Sequence, residues 1–564
     1  ILFDITNGTL KDPKTDPYIT SKTNFGPRVA VTWSPDQAGA GFFSGGKSVF
    51  RGGFGIYYGP GQNEDQIQPI ESDRISSTIS SPTMFGGQQL LAFPAPLSAI
   101  VANFNANPTN RTFQPRAYAN DYSIPEKVYQ YSLSWQQQLP YNITSTIAYV
   151  GSQGRNLFLR SVANKILPGN TSVLNTATAF PTGVGVVNRT DPGTGQVTAV
   201  TTIRQFDILN NAAVCGASGT NPICRPFAEI DYKTSGGDDS YNALQVSAQR
   251  SYRTGLTMNV QYTFGKSVGT SAGSNEARTS ADLDNFEADR GRNNFDIRHN
   301  FNLSALYELP FGKNGKYDFG KTGNILLGGW EVGGILNARS GIPVEILVVR
   351  PDVVVQCQTT GGCPNGAGGT FANGFTANLP SLGASFPQLP TGFVAVVNTP
   401  GGGNSRNIRR PDLIAGVNPF LNNDRQMINP AAFAIPTAGT FGNLKRNQFS
   451  GPSFSELDFT VVKRFRFTET TNFEFRTEVF NILNKTNFAN PSTTLANALP
   501  SLSCTVVAGS CSTYSASNSN TEQPGQAFTQ GAAGSTFGLL RATVNRTVGL
   551  GSNRQIQFGF RFNF

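Results

Sequence analysis

Asn553-Arg-Gln-Ile-Gln-Phe-Gly-Phe-Arg-Phe-Asn-Phe564 is the stretch whose reading decides the fold. Ile556, Phe558, Phe560, Phe562 and Phe564 alternate without a break against Gln555, Gln557, Gly559, Arg561 and Asn563. Successive side chains of an extended chain point to opposite faces, so the apolar groups share one face of a strand. A strand of a soluble sandwich reads the same way. Two features turn the reading towards a membrane barrel. The run has the roughly 9–11 residues of a tilted spanning strand, and it stops on an aromatic ring where a chain end is normally frayed and polar.

Composition agrees. Charged residues are 14% of the 564, against 61 glycines and 42 phenylalanines. No apolar run approaches the roughly 18 residues of a spanning helix. Gly, Pro, Asn, Thr and Ser interrupt nearly every window that would make an amphipathic helix. Phe, Tyr, Thr and Val in alternating runs indicate an all-β chain. The net charge of +9 comes from scattered basic residues, with no stacking module, so nucleic acid is not an expected partner and lipid phosphate is. Ile1 is not an initiator methionine and no signal peptide is visible in the sequence, so a processed product or a fragment is expected.

Further segments alternate in the same way. They are 25–34, 47–58, 127–138, 142–151, 241–250, 255–265, 298–309, 326–338, 453–466 and 472–483, which with the last stretch make eleven strands. Their connections differ sharply in length. Short ones (35–46, 139–141, 251–254, 310–325, 467–471) alternate with long ones (59–126, 152–239, 266–297, 339–452, 484–552). Short turns on one side and long loops on the other are the layout of a transmembrane antiparallel β-barrel, with periplasmic turns and extracellular loops; structureless loops this long are unusual inside a soluble domain. Thr536–Val548 is read as an excursion within the last outer loop, the rival being a twelfth membrane strand.

On the hairpin 453–483, Glu456, Asp458, Arg464 and Arg466 share a face, opposed by Glu474, Arg476 and Glu478. Opposed charges pair across a hairpin, for instance Arg466 with Glu474. In a barrel this face is the lumen, because a basic residue facing lipid costs roughly 2–4 kcal/mol at the midplane. Lys463 falls on the apolar face and is expected to snorkel to an interface.

The six cysteines form three close pairs in irregular stretches: Cys215/Cys224, Cys357/Cys363 and Cys504/Cys511. Three local disulfides in an oxidising compartment are expected; the spacings do not suit a metal site. Gly41-Phe-Phe-Ser-Gly-Gly-Lys-Ser48 satisfies the phosphate-loop pattern, but a strand follows it where a helix N-terminus is needed. Gly269-Thr-Ser-Ala-Gly273 matches a nucleophile elbow without the following helix, and the one histidine, His299, lies on an apolar strand face. Neither nucleotide binding nor hydrolysis is expected, and the chain is read as a non-enzyme. Asp282, Asp284, Glu287 and Asp289 lack the glycine of a calcium loop and read as a solvated acidic segment. No cofactor is expected.

Several segments together resemble Oar-like TonB-dependent receptors. They are Asn24-Phe-Gly-Pro-Arg-Val-Ala-Val-Thr-Trp-Ser-Pro35, Val49–Tyr58, Tyr241–Arg250, Phe295-Asp-Ile-Arg-His-Asn-Phe301, Thr440–Leu444, Phe475-Arg-Thr-Glu-Val-Phe-Asn-Ile-Leu-Asn484 and Arg554–Phe564. The resemblance implies a plugged barrel of about 22 strands. The eleven strands of residues 1–564 are then its C-terminal part, without plug, TonB box or first barrel half. It further implies TonB, the missing plug and barrel half, and the barrel-assembly machinery as partners, the last reading the terminal aromatic strand. The expected function is to bind an extracellular ligand through the long loops and admit it through the outer membrane. The alternatives are a surface-assembly protein whose loops meet other surface proteins, and a passive 12-stranded channel closed between residue 25 and the last strand.

Overall fold

A computed structural model describes residues 3–4, 9–10, 19–35, 41–43, 45–59, 75–77, 84–85, 88–90, 93–94, 96–106, 111–113, 116–119, 122–163, 186–190, 197–202, 230–253, 255–270, 281–282, 285–312, 315–366, 368–378, 392–399, 408–421, 423, 425–468, 471–507, 510–516, 521–544 and 551–564. Eleven strands follow one another in chain order as an antiparallel meander. They are β1 (Arg28–Trp33), β2 (Ser48–Tyr58), β3 (Lys127–Leu139), β4 (Ile143–Ala163), β5 (Ile230–Arg253), β6 (Leu256–Gly269), β7 (His299–Glu308), β8 (Trp330–Arg339), β9 (Phe454–Arg466), β10 (Asn472–Phe480) and β11 (Gln555–Asn563). The alternation therefore identified every strand of the meander.

Several boundaries differ from the sequence reading, three of them through a change of structure. β4 and β5 run to 21 and 24 residues, about twice a membrane crossing. Their outer ends pair beyond the alternating segment, from Leu157↔Gly237 to Ala163↔Ile230. There Phe158 packs with Ala119 and Tyr122 from the preceding long connection. Leu326 and Leu327 do not begin β8 but end a helix, α1 (Gly320–Leu327), inside the turn between β7 and β8.

The two sheet faces differ as the alternation requires. One carries Val29, Val31 and Trp33 of β1, Leu133 of β3 and Phe558, Phe560 and Phe562 of β11, each more than half exposed. Rings stack from strand to strand along it: Trp33 on Phe50 at 5.4 Å, Phe50 on Trp135 at 6.1 Å, and Phe475 against Phe560 at 5.2 Å. A continuous exposed apolar face of this size is unfavourable in water and is what a lipid-facing barrel wall presents. The other face is mainly polar or small, with Leu306 and Ile335 as exposed apolar exceptions.

β1 and β11 are the two edges of the sheet and are not paired with each other. The closed 12-stranded ring is not found. Over the described part of Thr536–Val548, isolated bridges occur at Phe537, Leu539 and Thr543 and no strand forms; these positions are bound within the loops, so they are not free to pair with β11.

The largest departure lies in the loops. The connections after β8 and after β10, read as irregular, fold onto one another around a dry core. Val344, Ile346, Val348, Phe433 and Ile435 from the first pack with Leu495, Leu499, Phe528 and Phe537 from the second, all nearly fully buried. Backbone pairing crosses between them at Leu347↔Thr494 and Val348↔Leu495. A three-stranded sheet, Thr376–Asn378, Val353–Cys357 and Phe393–Val397, adds a second cluster around Val355, Phe371 and Phe393. This unit, here called the cap, holds most of the buried apolar side chains among the described residues. The sheet itself has no second layer.

Candidate functional site

The polar face of β8–β10 carries a ladder of ion pairs. Register places Arg464 opposite Glu474, and Arg466 opposite Asn472. The expected Arg466–Glu474 pair is thus replaced by Arg464–Glu474, because the strands pair two residues out from that alignment. Arg464 reaches Glu474 at 3.0 Å and Glu331 of β8 at 2.7 Å. Arg476 continues the ladder to Glu474 at 2.8 Å and Glu478 at 3.5 Å. Glu456 and Asp458 do different work: they accept the backbone N–H groups of Gly551 (2.6 Å) and Asn481 (2.8 Å). They thereby hold both ends of the loop between β10 and β11 against β9.

A second polar feature was not singled out in the sequence. On β1–β5 a groove of about 510 Å³ is lined by Arg28, Tyr57, Gln130, Ser132, Ser152 and Tyr241, among others. Arg28 lies over the Tyr57 ring, 4.6 Å from its centroid. The groove exists because Gly53 and Gly55 carry no side chain on that face. The Tyr57 ring covers Gly55 so closely that a Cβ there would meet it at 2.9 Å, whereas a Cβ on Gly53 meets nothing nearer than 3.6 Å. The available signal was Gly53 and Gly55 two apart on the face opposite Phe54, facing Ser132 and Gln130 across the β2–β3 pair.

Buried arginines fasten the cap to the connection between β6 and β7. Arg410 bridges Asp289 (2.6 Å) and Glu345 (3.2 Å), with all three side chains no more than 7% exposed. Arg446 donates to the carbonyls of Gly269, Thr270 and Asp289. Asn447 donates to the Arg292 carbonyl at 2.7 Å. Within the cap, Arg350 donates to the carbonyls of Asn398, Pro436, Thr437 and Thr440. Burial, with the neighbouring Arg409 charge, lowers its guanidinium to about 10, so it stays a cation at neutral pH.

The acidic segment resolves into these ties. Asp289 belongs to Arg410, and Glu287 pairs with Arg290 (2.6 Å), which also reaches Asp238 of β5 (2.5 Å). The Arg290 guanidinium holds the Glu287 carboxyl below the usual carboxylate range. Asp284 lies outside the described residues, and among those described no cluster suits a metal ion. His299 sits on the apolar face, its Nδ1 2.8 Å from the Tyr262 hydroxyl and its ring 5.1 Å from Phe264. Of the phosphate-loop match, Ser48 opens β2 and hydrogen-bonds Gln137; of the elbow match, only Gly269 and Thr270 are described.

Cys357 and Cys363 form a disulfide with Cα atoms 5.8 Å apart, buried in the second cap cluster. Cys504 and Cys511 stand on one hairpin, 502–507 with 510–516, but their side chains, like all of Cys215 and Cys224, lie outside the described residues.

A family model for an outer membrane beta barrel domain matches residues 3–557, and the chain belongs to that family. It is an outer-membrane β-barrel chain. None of the curated proteins matches it. Among solved structures it is similar to the outer membrane transporter YddB from Escherichia coli (8% identity, TM-score 0.31, 83% of this chain and 37% of that one). It is also similar to the siderophore receptor PirA from Acinetobacter baumannii (10%, 0.32, 82% and 37%). A third is P. aeruginosa FpvA bound to heterologous pyoverdines (8%, 0.31, 96% and 33%). The chain spans little more than a third of the length of these proteins.

Proposed function

We propose that residues 1–564 are the C-terminal barrel part of an outer-membrane receptor of the TonB-dependent type, which binds an extracellular ligand and admits it. On this reading the polar face lines the lumen, and the plug and remaining strands belong to the same receptor. The observation that carries it is the division of the sheet. An apolar, ring-stacked face backs a polar face that carries an ion-pair ladder on β8–β10 and an open glycine-floored groove on β1–β5. A channel wall needs paired charge to avoid trapping its cargo and open polar surface to pass it. The cap is the ligand-facing element, since outer loops supply recognition surface while the barrel supplies rigidity.

The test uses the full receptor purified from outer membranes. Cross-linking to the periplasmic domain of TonB, and mass spectrometry of small molecules retained by the protein, are both expected to be positive. A receptor that retains no small molecule and does not cross-link overturns the transport reading. The self-contained core of the cap favours one second reading, surface assembly through the cap. That reading predicts cap-to-cap cross-links between neighbouring barrels on intact cells.

A further inference from the structure

The turn between β7 and β8 carries more than a turn requires. Residues 310–329 hold α1, and its residues Ile325, Leu326 and Leu327, with Tyr317 and Phe319 just before it, are all roughly half exposed or more. Two side chains fix which side of the barrel wall the helix occupies. Trp330 Nε1 donates to the Leu326 carbonyl at 2.9 Å. Lys463 Nζ donates to the same carbonyl at 3.0 Å and also to that of Gly328. Trp330 and Lys463 stand directly opposite each other on β8 and β9, in the apolar face. The Lys463 ammonium lies over the Trp330 and Phe465 rings, 5.2 and 4.9 Å from their centroids. The C-terminal turn of α1 is therefore tied to the lipid side of the wall, not to the polar side.

We propose that α1 lies in the interface of the inner, phospholipid leaflet of the outer membrane, and that the flanking lysines bind its phosphates. Three observations choose this occupant. The exposed apolar turn is continuous with the exposed aromatic face of the sheet, which the membrane already covers. The described turn is basic, with Lys316 and Lys321 against Asp318, and Asp318 is engaged by Gly320 N–H and the Asn324 amide. Finally, Trp330 presents the amphipathic ring, and Lys463 the snorkelled cation, that mark a membrane–water boundary. The helix C-terminus attracts the Lys463 charge through its unpaired carbonyls, so the residue that looks misplaced on an apolar face is the fastening of an interfacial helix.

The experiment labels Leu326→Cys, and separately Ile325→Cys, with an environment-sensitive fluorophore in the receptor purified from outer membranes, the unsubstituted protein supplying the blank. The labelled protein is reconstituted into vesicles of phosphatidylcholine alone or with phosphatidylglycerol. Blue-shifted emission, quenching by lipids brominated near the headgroup end of the acyl chain and protection from aqueous iodide are expected at both positions. Iodide quenching without bromolipid quenching overturns the placement. Added phosphatidylglycerol is expected to deepen the bromolipid quenching, and Lys316→Glu/Lys321→Glu to abolish that increment. Indifference of the unsubstituted lysines to lipid charge overturns phosphate binding.

Discussion

At Arg464 one guanidinium serves two carboxylates on neighbouring strands, Glu331 and Glu474, whose side chains are only about a tenth exposed while its own is a third exposed. Removing the cation leaves the nearly buried Glu331 without its ion pair and Glu474 with Arg476 alone, which costs more than the pair contributes. Arg464→Met is expected to destabilise the folded barrel by about 1.5–3 kcal/mol, read as a lower temperature for loss of the compact band in heat-modifiability gels. The triple change Glu331→Gln/Arg464→Met/Glu474→Gln, which removes all three charges, should recover most of that loss; no recovery would mean that Arg464 acts through packing alone. The same scale governs the pH response. Because Arg290 lowers the Glu287 carboxyl in the folded state, the pair contributes stability above the unfolded glutamate range, near pH ~4.3, and loses it as pH falls through the folded value. Rate-corrected amide exchange over 285–292 is expected to rise on going from neutral to acid pH. In Glu287→Gln that step should vanish.

Among the elements, the cap has a buried cation, Arg350, tying its segments together inside it. Arg350 satisfies carbonyls from two separated segments, around Asn398 and 436–440. Arg350→Met takes the donor from the Pro436 and Thr440 carbonyls, while those of Asn398 and Thr437 still accept from the Gly439 and Thr440 N–H groups, at a cost on the order of 3 kcal/mol. The expected result is proteolytic cutting between residues 392 and 441 on intact cells, with the barrel still heat-modifiable. Resistance equal to that of the unsubstituted protein would show that the apolar core holds the cap without it. The cap was also the least legible element in the sequence. Ile342-Pro-Val-Glu-Ile-Leu-Val-Val349 is plainly apolar, yet its partners Leu495 and Phe537 lie some 150–190 residues further on, a pairing that no local period encodes. The glycine groove was missed for a related reason. Gly53 and Gly55 can be read locally, but Arg28, Gln130 and Tyr241 reach them only through the register of four strand pairs.

For the whole molecule, the decisive property is that its two faces meet different solvents. Phe558 and Gln557 are neighbours on β11 with opposite faces, and both are exposed in the isolated sheet. Phe558→Arg is expected to cost roughly 2–4 kcal/mol towards the bilayer midplane and to cut the yield of assembled protein in the outer membrane. Gln557→Arg should be tolerated. Equal yields would contradict the assignment of faces. We propose a role in assembly for the terminal rings, beside their part in solvation. Phe562→Ser/Phe564→Ser is expected to abolish the heat-modifiable form while unfolded chain still accumulates. A normal barrel in that variant would remove these two residues from the assembly signal.

Periodicity by itself determined the class of the fold, the eleven strands, their faces and the alternation of short turns with long connections. Each of these follows from a local rule: a strand facing lipid must alternate, and a turn must interrupt it. Tertiary structure alone decided which charges meet, since Arg464 rather than Arg466 opposes Glu474 only once register is set. It decided that two distant loops share a core, because burial is a property of the folded set. It also turned Lys463 from an apparent misfit into the anchor of α1. The terminal strand Gln555–Asn563 stands between the two kinds of knowledge. Its alternation announced a lipid-facing wall, and the sheet made it an edge beside β10. Backbone hydrogen bonding, which couples strands far apart in the chain, leaves no period in the chain from which that position could be read.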